Sequence, residues 1–570
     1  MIKALPLFHK AITACSLFLI LTAFSGNATA KTTGKFMIAA ANPLAAQAGY
    51  KILEQGGNAV DAAIAVQLVL TLVEPQSSGI GGGAFLLYFD NKNKKVGTYD
   101  GREMAPASVK EDHFLKTDGN PLKFYEAVVG GKSVGVPGAL AMLESAHKDH
   151  GKLPWEDLFG AAIELSEKGF AISPRLHFLL NRDKYLKTKS VAAAYFYKAD
   201  GSAKDVGTIL KNPALAGTLK AIASNGATAF YTGVIAEKIV NAVKADVGNP
   251  GLLTLTDMKN YVAKKRAPIC APYHGFNICG MGPPTSGGVT SLQILKLLEG
   301  HNLSTVSPGS PAAINLISEA SAMAFADRGL YLADADFVDI PVQAMLSAPY
   351  MARRSALIEA GKTNIPYEAG DPAKQANLLT PDDAIELPST SHFSIVDADG
   401  NAVSMTTSVE NVFGSRLMAG GFILNNQLTD FSFRPSKDGV PVNNRIQAGK
   451  RPRSSMSPTL VLNPDNSLNM AIGSPGGSRI IGYVTKTIIG VLDWGLDMQS
   501  AINLPHYVNR NGTLDLEKGT DAAATKPQLE AMGYKVKIRL LNSGLHGIRV
   551  TDGGLQGGAD LRREGVVLGN

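Results

Sequence analysis

The chain has 570 residues, of which 45% are hydrophobic and 18% charged, a balance typical of a globular protein with a large core. Its formal net charge of +6 is small for this length, and no run of lysine and arginine indicates nucleic acid or a membrane surface as a partner. We therefore expect neither partner, and the positive excess favours solubility and acidic substrates.

The first thirty residues have the pattern of an export signal. Lys3 and Lys10 give a basic start, an apolar run covers residues 11–24, and Ala28-Thr29-Ala30 forms a small-x-small cleavage pattern. The apolar run is short for a membrane span, although an uncleaved anchor is the alternative. We predict a signal peptide over residues 1–30 and a periplasmic or secreted product. Its removal takes away two lysines and no acids, which leaves a net charge of +4.

Two cysteines remain after export. Cys15 lies in the signal, so Cys270 and Cys279 are left. If His274-Gly275 is a two-residue hairpin turn, Cys270 lies opposite Cys279 at a position where side chains approach closely. The sequence is compatible with a cross-strand disulfide and equally with two buried thiols. Neither cysteine has the histidine pattern of a nucleophile.

A glycine-rich stretch follows two predicted helices in residues 42–75, the second capped by Asn58. The glycines of residues 79–83 precede a predicted strand at residues 84–89. A phosphate-binding loop would instead follow a strand and open a helix, so we exclude a nucleotide site. We predict a tight backbone passage near a functional site.

In the rest of the chain, the sequence patterns predict mainly helices before residue 367 and mainly strands after residue 389. Helical patterns dominate residues 138–320, and residues 367–389 have neither period and predict a long exposed loop. Strand patterns return beyond this loop. We find no repeats and no linker between independent domains, and the mixture indicates sheets packed between helical layers.

A strand with a hydroxyl-rich start follows the loop. Alternation places Phe393 and Ile395 on one face and Thr390, His392 and Ser394 on the other. Threonine is common in strands, so Thr390 alone indicates nothing catalytic. The position of Thr390 at the end of the loop is compatible with a role as a nucleophile.

A threonine hydroxyl needs a base to act as a nucleophile. The scattered histidines form no local Ser/His/Asp signature. An α-amino group, with an unperturbed pKa of roughly 7.7–8.0, can serve instead. Thr390 would acquire that group if the chain were cut between Ser389 and Thr390. We hypothesise that Thr390 attacks the preceding carbonyl and that water releases the resulting ester, since an exposed loop tolerates a cut.

The chain resembles the γ-glutamyltranspeptidases over essentially all of its mature length. The resemblance is carried by segments in family order: GGNAVDAAIA, GIGGGAFLL, DGREMAPA, GVPGALAML, STSHFSIVDADGNAVSMTTS, ILNNQLTDFS, KRPRSSMSPTLV and GSPGGSRI. It implies an α+β fold, the four-layer αββα sandwich of N-terminal-nucleophile hydrolases. It also implies self-cleavage into a large subunit, residues 31–389, and a small subunit, residues 390–570, which form one interleaved domain as a heterodimer.

The same resemblance assigns catalytic roles. Thr390 corresponds to the nucleophile, and its freed amine to the base. Ser408 stands where the family has a threonine that hydrogen-bonds the nucleophile. Gly476 and Gly477 correspond to the pair whose backbone N–H groups form the oxyanion hole, where two aligned donors stabilise a tetrahedral oxyanion by several kcal/mol.

The resemblance also assigns the groups that recognise a γ-glutamyl substrate. Arg102 corresponds to the carboxylate clamp, because a guanidinium matches a carboxylate fork. Ser454 and Ser455 correspond to its hydrogen-bonding partners. Gln427 and Asp430 match groups that hold the α-ammonium.

Two departures from the family pattern bear on specificity. Glu410 stands where many transpeptidases carry asparagine, as in the branch that includes cephalosporin acylases. Together with Asp430, a charged Glu410 would favour the ammonium of a γ-glutamyl group over a glutaryl chain. Residues 434–453 contain no aromatic residue where some members have a lid with an aromatic tip, so the lid is expected to be absent or open.

The expected function is therefore a ping-pong γ-glutamyltransferase and glutathione hydrolase. Glutathione and related γ-glutamyl compounds would be donors, and water, amino acids or dipeptides acceptors, with no cofactor and no metal. The enzymatic alternative is a glutaryl-β-lactam (cephalosporin) acylase. The remoter alternative is an inactive exported protein that binds amino acids or peptides, although the set of Thr390, Ser408 and Gly476-Gly477 argues against it.

Overall fold

The computed structural model describes residues 31–373, 379–387 and 389–570, so the predicted signal peptide lies outside the described residues. Two seven-stranded sheets form its centre. Their strands in chain order are β1 (Lys31–Thr33), β2 (Met37–Ala40), β3 (Gly83–Asp90), β4 (Lys95–Gly101), β5 (Lys264–Arg266), β6 (Ile269–Tyr273), β7 (Phe276–Gly280), β8 (Ser391–Val396), β9 (Ala402–Ser408), β10 (Thr459–Leu462), β11 (Leu468–Gly473), β12 (His546–Thr551), β13 (Gly554–Ala559) and β14 (Val566–Gly569).

Helices form the outer layers. The longer ones and one short helix beside the second sheet are α1 (Pro43–Glu54), α2 (Ala59–Val73), α3 (Ala139–His150), α4 (Gly160–Lys168), α5 (Pro213–Asn225), α6 (Gly233–Lys244), α7 (Gly287–Leu298), α8 (Pro311–Tyr331), α9 (Ile480–Leu492) and α10 (Met498–Asn503). Further short helices are Phe124–Val128, Pro174–Arg182, Ser190–Phe196, Thr228–Tyr231, Leu255–Lys259, Val342–Met345, Ala348–Ser355, Asp521–Ala524 and Lys526–Ala531. Among the helices of the described residues, none is long and apolar enough to cross a bilayer.

The first helical pair is set by local capping. The Asn58 side chain accepts the backbone N–H groups of Val60 and Asp61, and the Asp61 carboxylate accepts that of Asn58. This capping box satisfies backbone donors that a helix start leaves without partners. Every residue of α2 is buried, as its nearly uninterrupted apolar sequence requires. The predicted helix pair and the Asn58 cap are confirmed.

The two sheets stack face to face. The first has the strand order β14-β2-β8-β9-β3-β4-β5, and the second β1-β13-β12-β11-β10-β7-β6. Phe393 and Ile395 pack into a core shared with α1 and α2, while Ser394 faces the second sheet and donates to the carbonyl of His546 (3.1 Å). Helices α7 and α9 cover the far side of the second sheet. The predicted four-layer αββα sandwich and the alternation in β8 are therefore confirmed.

The β6–β7 hairpin has the predicted register. Cys270 pairs with Cys279 and Tyr273 with Phe276. His274 and Gly275 have φ values of 47° and 84°, as a tight two-residue hairpin turn requires. The two cysteines form a disulfide, so the cross-strand bridge is confirmed and the alternative of two thiols is not.

The glycine-rich stretch is a tight backbone passage, as predicted. A Cβ on Gly82 would lie 2.0 Å from the carbonyl oxygen of Ser408, the last residue of β9. A Cβ on Gly81 would lie 2.1 Å from the carbonyl oxygen of Ile423. Only glycine allows these segments to approach so closely. The stretch therefore fixes the end of β9, where Ser408 lies.

Replacing Gly82 with alanine is expected to destabilise the fold, because a backbone carbonyl cannot move away without shifting β9. The expected cost is about 1–3 kcal/mol of unfolding free energy, measured by denaturant titration. Gly97→Ala in β4 is the matched control, since a Cβ there meets no atom within 4 Å of the described structure. Equal losses in both variants would contradict the close approach.

The prediction for residues 367–389 is partly wrong. No helix or strand forms in the described part of this loop, as expected, but its last residues are not exposed. The Glu386 side chain is 6% exposed and Ser389 is 2% exposed. Ser389 Oγ donates to the carbonyl of Gln76 (2.8 Å), which draws the end of the loop inward. The polarity of the loop gave no sign of these partners, which are distant in sequence.

Candidate active site

Thr390 directly precedes β8 and lies beside the end of β9. The two strands pair so that Ser391 lies opposite Thr407, which brings Thr390 next to Ser408. The two hydroxyl oxygens, Thr390 Oγ1 and Ser408 Oγ, are 3.0 Å apart. Ser408 Oγ also accepts the backbone N–H of Glu410 at 2.9 Å. Ser408 is therefore held in place and shares a hydrogen bond with Thr390.

The backbone at Thr390 is strained. Its φ is 91°, a region that β-branched residues rarely adopt. The residue is 4% exposed, and its carbonyl oxygen accepts a hydrogen bond from Arg563 Nη1 at 2.8 Å. The peptide bond that joins Ser389 to Thr390 thus lies in a buried, constrained segment, out of reach of an external protease.

The nearest histidine in sequence is not available to Thr390 as a base. His392 Nδ1 is hydrogen-bonded with Thr406 Oγ1 (2.9 Å) and its Nε2 with Ser394 Oγ (3.1 Å). Burial, and then the neighbouring His546, hold the pKa of His392 well below its usual value. Among the described residues, no histidine hydrogen-bonds Thr390 Oγ1.

Arg102 and Asp430 form a buried ion pair on another wall of the site. Arg102 follows the end of β4, and Asp430 ends a 3-10 turn, Gln427–Asp430. Arg102 Nη2 is 2.5 Å from Asp430 Oδ2, which also accepts from Gln427 Nε2 (2.7 Å). The Arg102 guanidinium also donates to the carbonyls of Pro452 and Arg453. Burial raises the pKa of Asp430 to about 6, although Arg102 opposes the shift.

Glu410 is buried beside this pair. Its Oε2 accepts from Asn426 Nδ2. Burial, and then the charge of Asp430, raise the pKa of Glu410 well above its usual value. Burial and the charge of Asp430 thus oppose the second negative charge that we expected at Glu410, and its role in substrate binding stays a prediction. A neutral carboxyl can both donate and accept hydrogen bonds, as an amide side chain does.

Two acceptor oxygens in this region have no partner. Glu410 Oε1 and Gln427 Oε1 are buried without a hydrogen bond in the described part of the chain. Such atoms are costly unless a ligand or water satisfies them. With the Asp430 carboxylate, they provide three acceptors, the number that one ammonium group can use.

Ser454 and Ser455 line the same pocket and directly follow Arg453, whose carbonyl accepts from Arg102. Ser454 Oγ accepts the backbone N–H of Met456 (3.0 Å). Ser455 Oγ donates to the carboxylate of Glu386, which also pairs with Arg328 and lies 3.5 Å from Arg453. Burial alone would raise the pKa of Glu386, but the two arginines outweigh it and hold this pKa at about 2.

The end of the loop fills the pocket. The pocket has a cavity volume of about 20 Å³, which leaves room for about one water molecule. The lining residues are Arg102, Glu386, Leu387, Thr390, Ser408, Glu410, Gln427, Asp430, Ser454, Ser455, Met456, Gly477 and Ile480. In the continuous chain, Glu386 and Leu387 thus occupy space that a substrate would need.

The glycine pair forms the turn that enters α9. Gly476 and Gly477 have φ values of 143° and 60°, which favour glycine. Gly477 lines the pocket, whereas Gly476 lies behind it, where a Cβ would be 2.7 Å from the Tyr483 ring. Of the ten residues predicted to act in catalysis or substrate binding, the structure brings nine to one pocket and places Gly476 directly beside it.

The chain is similar to known proteins over most of its length. A family model described as gamma-glutamyltranspeptidase matches residues 45–570. The glutathione hydrolase proenzyme of Bacillus subtilis (strain 168) is 36% identical over 547 residues, covering 94% of this chain and 91% of that protein. This chain belongs to the γ-glutamyltranspeptidase family. The glutathione hydrolase proenzyme of Escherichia coli (strain K12) is also 36% identical, over 541 residues that cover 92% of this chain and 90% of that protein.

A solved structure extends the comparison to another member of the same fold. The crystal structure of cephalosporin acylase from Bacillus halodurans superposes with a TM-score of 0.82 at 26% identity, covering 97% of this chain and 99% of that one. The resemblance to N-terminal-nucleophile hydrolases is thereby confirmed, and the chain is a member of a family of hydrolases and transferases.

Sequence reasoning missed several pocket residues of this family member. Glu386 and Leu387 come from a loop without periodic pattern, and Met456 and Ile480 are apolar residues within two of the quoted motifs to which no role was assigned. One signal was present for Glu386, an acidic residue four positions before Thr390, but its arginine partners could not be found from spacing.

Residues 434–453 form the segment in which we expect a lid to be absent or open. Residues 434–453 contain a small hairpin, Ser436–Lys437 with Val440–Pro441, whose first strand is exposed. Among the described residues that line the pocket, none comes from this segment. The expectation that a lid is absent or open stays a prediction.

Proposed function

We propose that this protein is a self-processing γ-glutamyltransferase that also acts as a glutathione hydrolase. One observation carries the proposal: Thr390 Oγ1 lies 3.0 Å from Ser408 Oγ in a pocket that also holds the buried Arg102–Asp430 pair. A nucleophile and a zwitterion-binding pair thus share one small site. The glutathione hydrolase relatives support this choice of substrate.

The first proposed reaction is cleavage of the chain's own backbone. Thr390 Oγ attacks the carbonyl carbon of Ser389 and forms an ester with it. The peptide nitrogen leaves as the free amine of Thr390. Water then hydrolyses the ester and leaves a carboxylate on Ser389 and a free hydroxyl on Thr390. The φ of 91° at Thr390 supports this step, because breaking the bond relieves strain.

The second proposed reaction is turnover of a γ-glutamyl compound. The freed amine of Thr390 accepts the hydroxyl proton while Oγ attacks the γ-carbonyl, and N–H groups of Gly476 and Gly477 stabilise the oxyanion. The leaving amine takes the proton. Water, an amino acid or a dipeptide then resolves the acyl-enzyme by the reverse sequence.

Recognition of the γ-glutamyl group uses both of its charges. Its carboxylate would bind Arg102, Ser454 and Ser455, and its ammonium would bind Asp430 and the two unpartnered acceptors, Gln427 Oε1 and Glu410 Oε1. Charge-assisted hydrogen bonds of this kind are roughly twice as strong as neutral ones. Glu386 must leave Ser455 before the substrate carboxylate can bind.

N-terminal sequencing of the purified protein tests the processing step. We expect two chains, one that begins near Lys31 and one that begins at Thr390, held together as a heterodimer in an exported protein. A single intact chain that turns over γ-glutamyl compounds would contradict the mechanism. A single chain with stoichiometric binding and no turnover would favour the exported binding protein instead.

A second candidate function is hydrolysis of glutaryl-β-lactams. The similarity to a cephalosporin acylase structure and the carboxyl group at Glu410 favour it. Turnover of a γ-glutamyl anilide and of its des-amino glutaryl analogue separates the two. We expect the γ-glutamyl compound to be preferred, because a glutaryl chain has no ammonium for Asp430 and the unpartnered oxygens of Gln427 and Glu410 to bind. Preference for the glutaryl compound would favour the acylase.

A further inference from the structure

A second cleft adjoins the pocket and is lined by arginines. Its volume is about 380 Å³, and its residues include Arg328, Arg453, Arg510 and Arg539. Among the described residues, Glu386 is the one that lines both cavities. The cleft is thus separated from the proposed γ-glutamyl pocket by a side chain that belongs to the loop before Thr390.

Positive charge exceeds negative charge in this cleft. Asp382 pairs with Arg453 at 2.6 Å, and Glu386 pairs with Arg328. Asp515 pairs with Arg539 at 2.9 Å and with Arg479 at 3.3 Å, so one acid serves two cations. The cleft therefore keeps a positive charge even with Glu386 present.

Arg510 is the cation that is not neutralised. Its Nη1 donates to Ser478 Oγ at 2.7 Å, and within the described chain no carboxylate lies within 4.0 Å of its guanidinium nitrogens. Ser478 directly follows Gly477, which lines the γ-glutamyl pocket. Arg510 is therefore anchored one residue beyond the proposed oxyanion hole.

The carboxylate of Glu386 shows what this wall can bind. It lies against Arg328, Arg453 and Ser455 at the boundary of the two cavities. A γ-glutamyl group held by Arg102 and Asp430 presents its γ-carbonyl to Thr390. The part of the substrate beyond that carbonyl then has to leave past Gly477 and Ser478, toward the arginine cleft.

We propose that this cleft binds the free carboxylate of the leaving or accepting amino acid or peptide, with Arg510 as the specificity-determining residue. The inference rests on the proposed function and adds a second anion subsite to it. Arg510 acts on substrates that carry a carboxylate beyond the scissile bond and does not act on those that lack one. Guanidinium groups match carboxylates in geometry, and Arg510 has donors to spare.

The test compares two leaving groups in Arg510→Gln. The substrates are γ-glutamyl-4-nitroanilide and the same anilide with a carboxylate on the ring. We expect kcat/KM to fall about tenfold for the carboxylated anilide and to stay within about twofold for the plain one, as loss of one charge-assisted hydrogen bond predicts. Arg510→Lys, which keeps the charge, should recover part of the loss.

The matched control is Lys537→Gln, on the strand Val536–Arg539 that also carries Arg539. Lys537 is exposed and does not line the cleft, so both anilides should react as with the wild type. Equal losses on the two anilides in Arg510→Gln, or no loss on either, would overturn the inference alone. Wild-type protein that turns over neither anilide would overturn the proposed function, and this inference with it.

A measurement on the wild type alone guards against a variant that does not fold. With the plain anilide as donor, transfer to glycylglycine should show a KM about tenfold lower than transfer to glycylglycine amide. The same KM for the acid and the amide would overturn the carboxylate subsite, whatever the variants do.

Discussion

Thr390→Ala is expected to remain a single uncut chain without measurable turnover. Alanine lacks the oxygen that would attack the Ser389 carbonyl, and without the cut no α-amine forms to act as base. Loss of a nucleophile costs at least about 10³-fold in rate. Denaturing electrophoresis and turnover of a γ-glutamyl anilide measure the two effects. Two chains in this variant would refute the assignment of Thr390.

Thr407→Ala is the matched control. Thr407 lies in β9 opposite Ser391, and its buried hydroxyl has no hydrogen-bond partner among the described residues. Thr407→Ala removes the same side-chain atoms as Thr390→Ala in the same region of the structure. It leaves the Thr390–Ser408 contact in place. We therefore expect normal cutting and normal turnover. Thr390→Ser, which keeps a hydroxyl, should be cut and retain partial activity.

The local features of the fold could be predicted because they depend on nearby residues. Asn58 caps α2 through contacts within three residues, and the alternation of Phe393 and Ile395 follows from strand geometry alone. The Cys270–Cys279 register follows from the length of one hairpin turn. In each case, the chemistry that decides the structure lies within ten residues of sequence.

The contacts inside the site could not be predicted in the same way. Arg102 and Asp430 are 328 residues apart, and motif order suggested that both bind substrate without showing that they pair with each other. The position of Glu386 at Ser455 depends on Arg328, which belongs to no quoted motif, and on Arg453, whose pairing with a loop residue its motif does not show. The raised pKa of Glu410 depends on burial and on Asp430, which a residue type cannot reveal.

Asp430→Asn and Glu410→Gln are expected to differ sharply, although each replaces a carboxyl with an amide. Asp430 carries the charge that would hold the substrate ammonium, so its loss should lower kcat/KM for a γ-glutamyl anilide by about a hundredfold or more. Burial and the charge of Asp430 raise the pKa of Glu410 and so favour its neutral form, and glutamine should therefore change kcat/KM by about threefold or less. A des-amino glutaryl anilide has no ammonium group. Neither variant should therefore lower its kcat/KM through loss of ammonium binding.

The charge of Asp430 also predicts how the preference between the two anilides changes with pH. Burial raises the pKa of Asp430 to about 6, so the carboxylate is charged above that pH and protonated below it. The ratio of kcat/KM for γ-glutamyl over glutaryl anilide should therefore fall as the pH drops through about 6. Taking the ratio removes titration of the Thr390 amine, which affects both substrates alike.

Asp430→Asn should make the ratio flat over this range, whereas Glu410→Gln should keep the fall, because removing the neighbouring carboxyl leaves Asp430 to titrate. A ratio independent of pH in the wild type would exclude Asp430 as the ammonium partner.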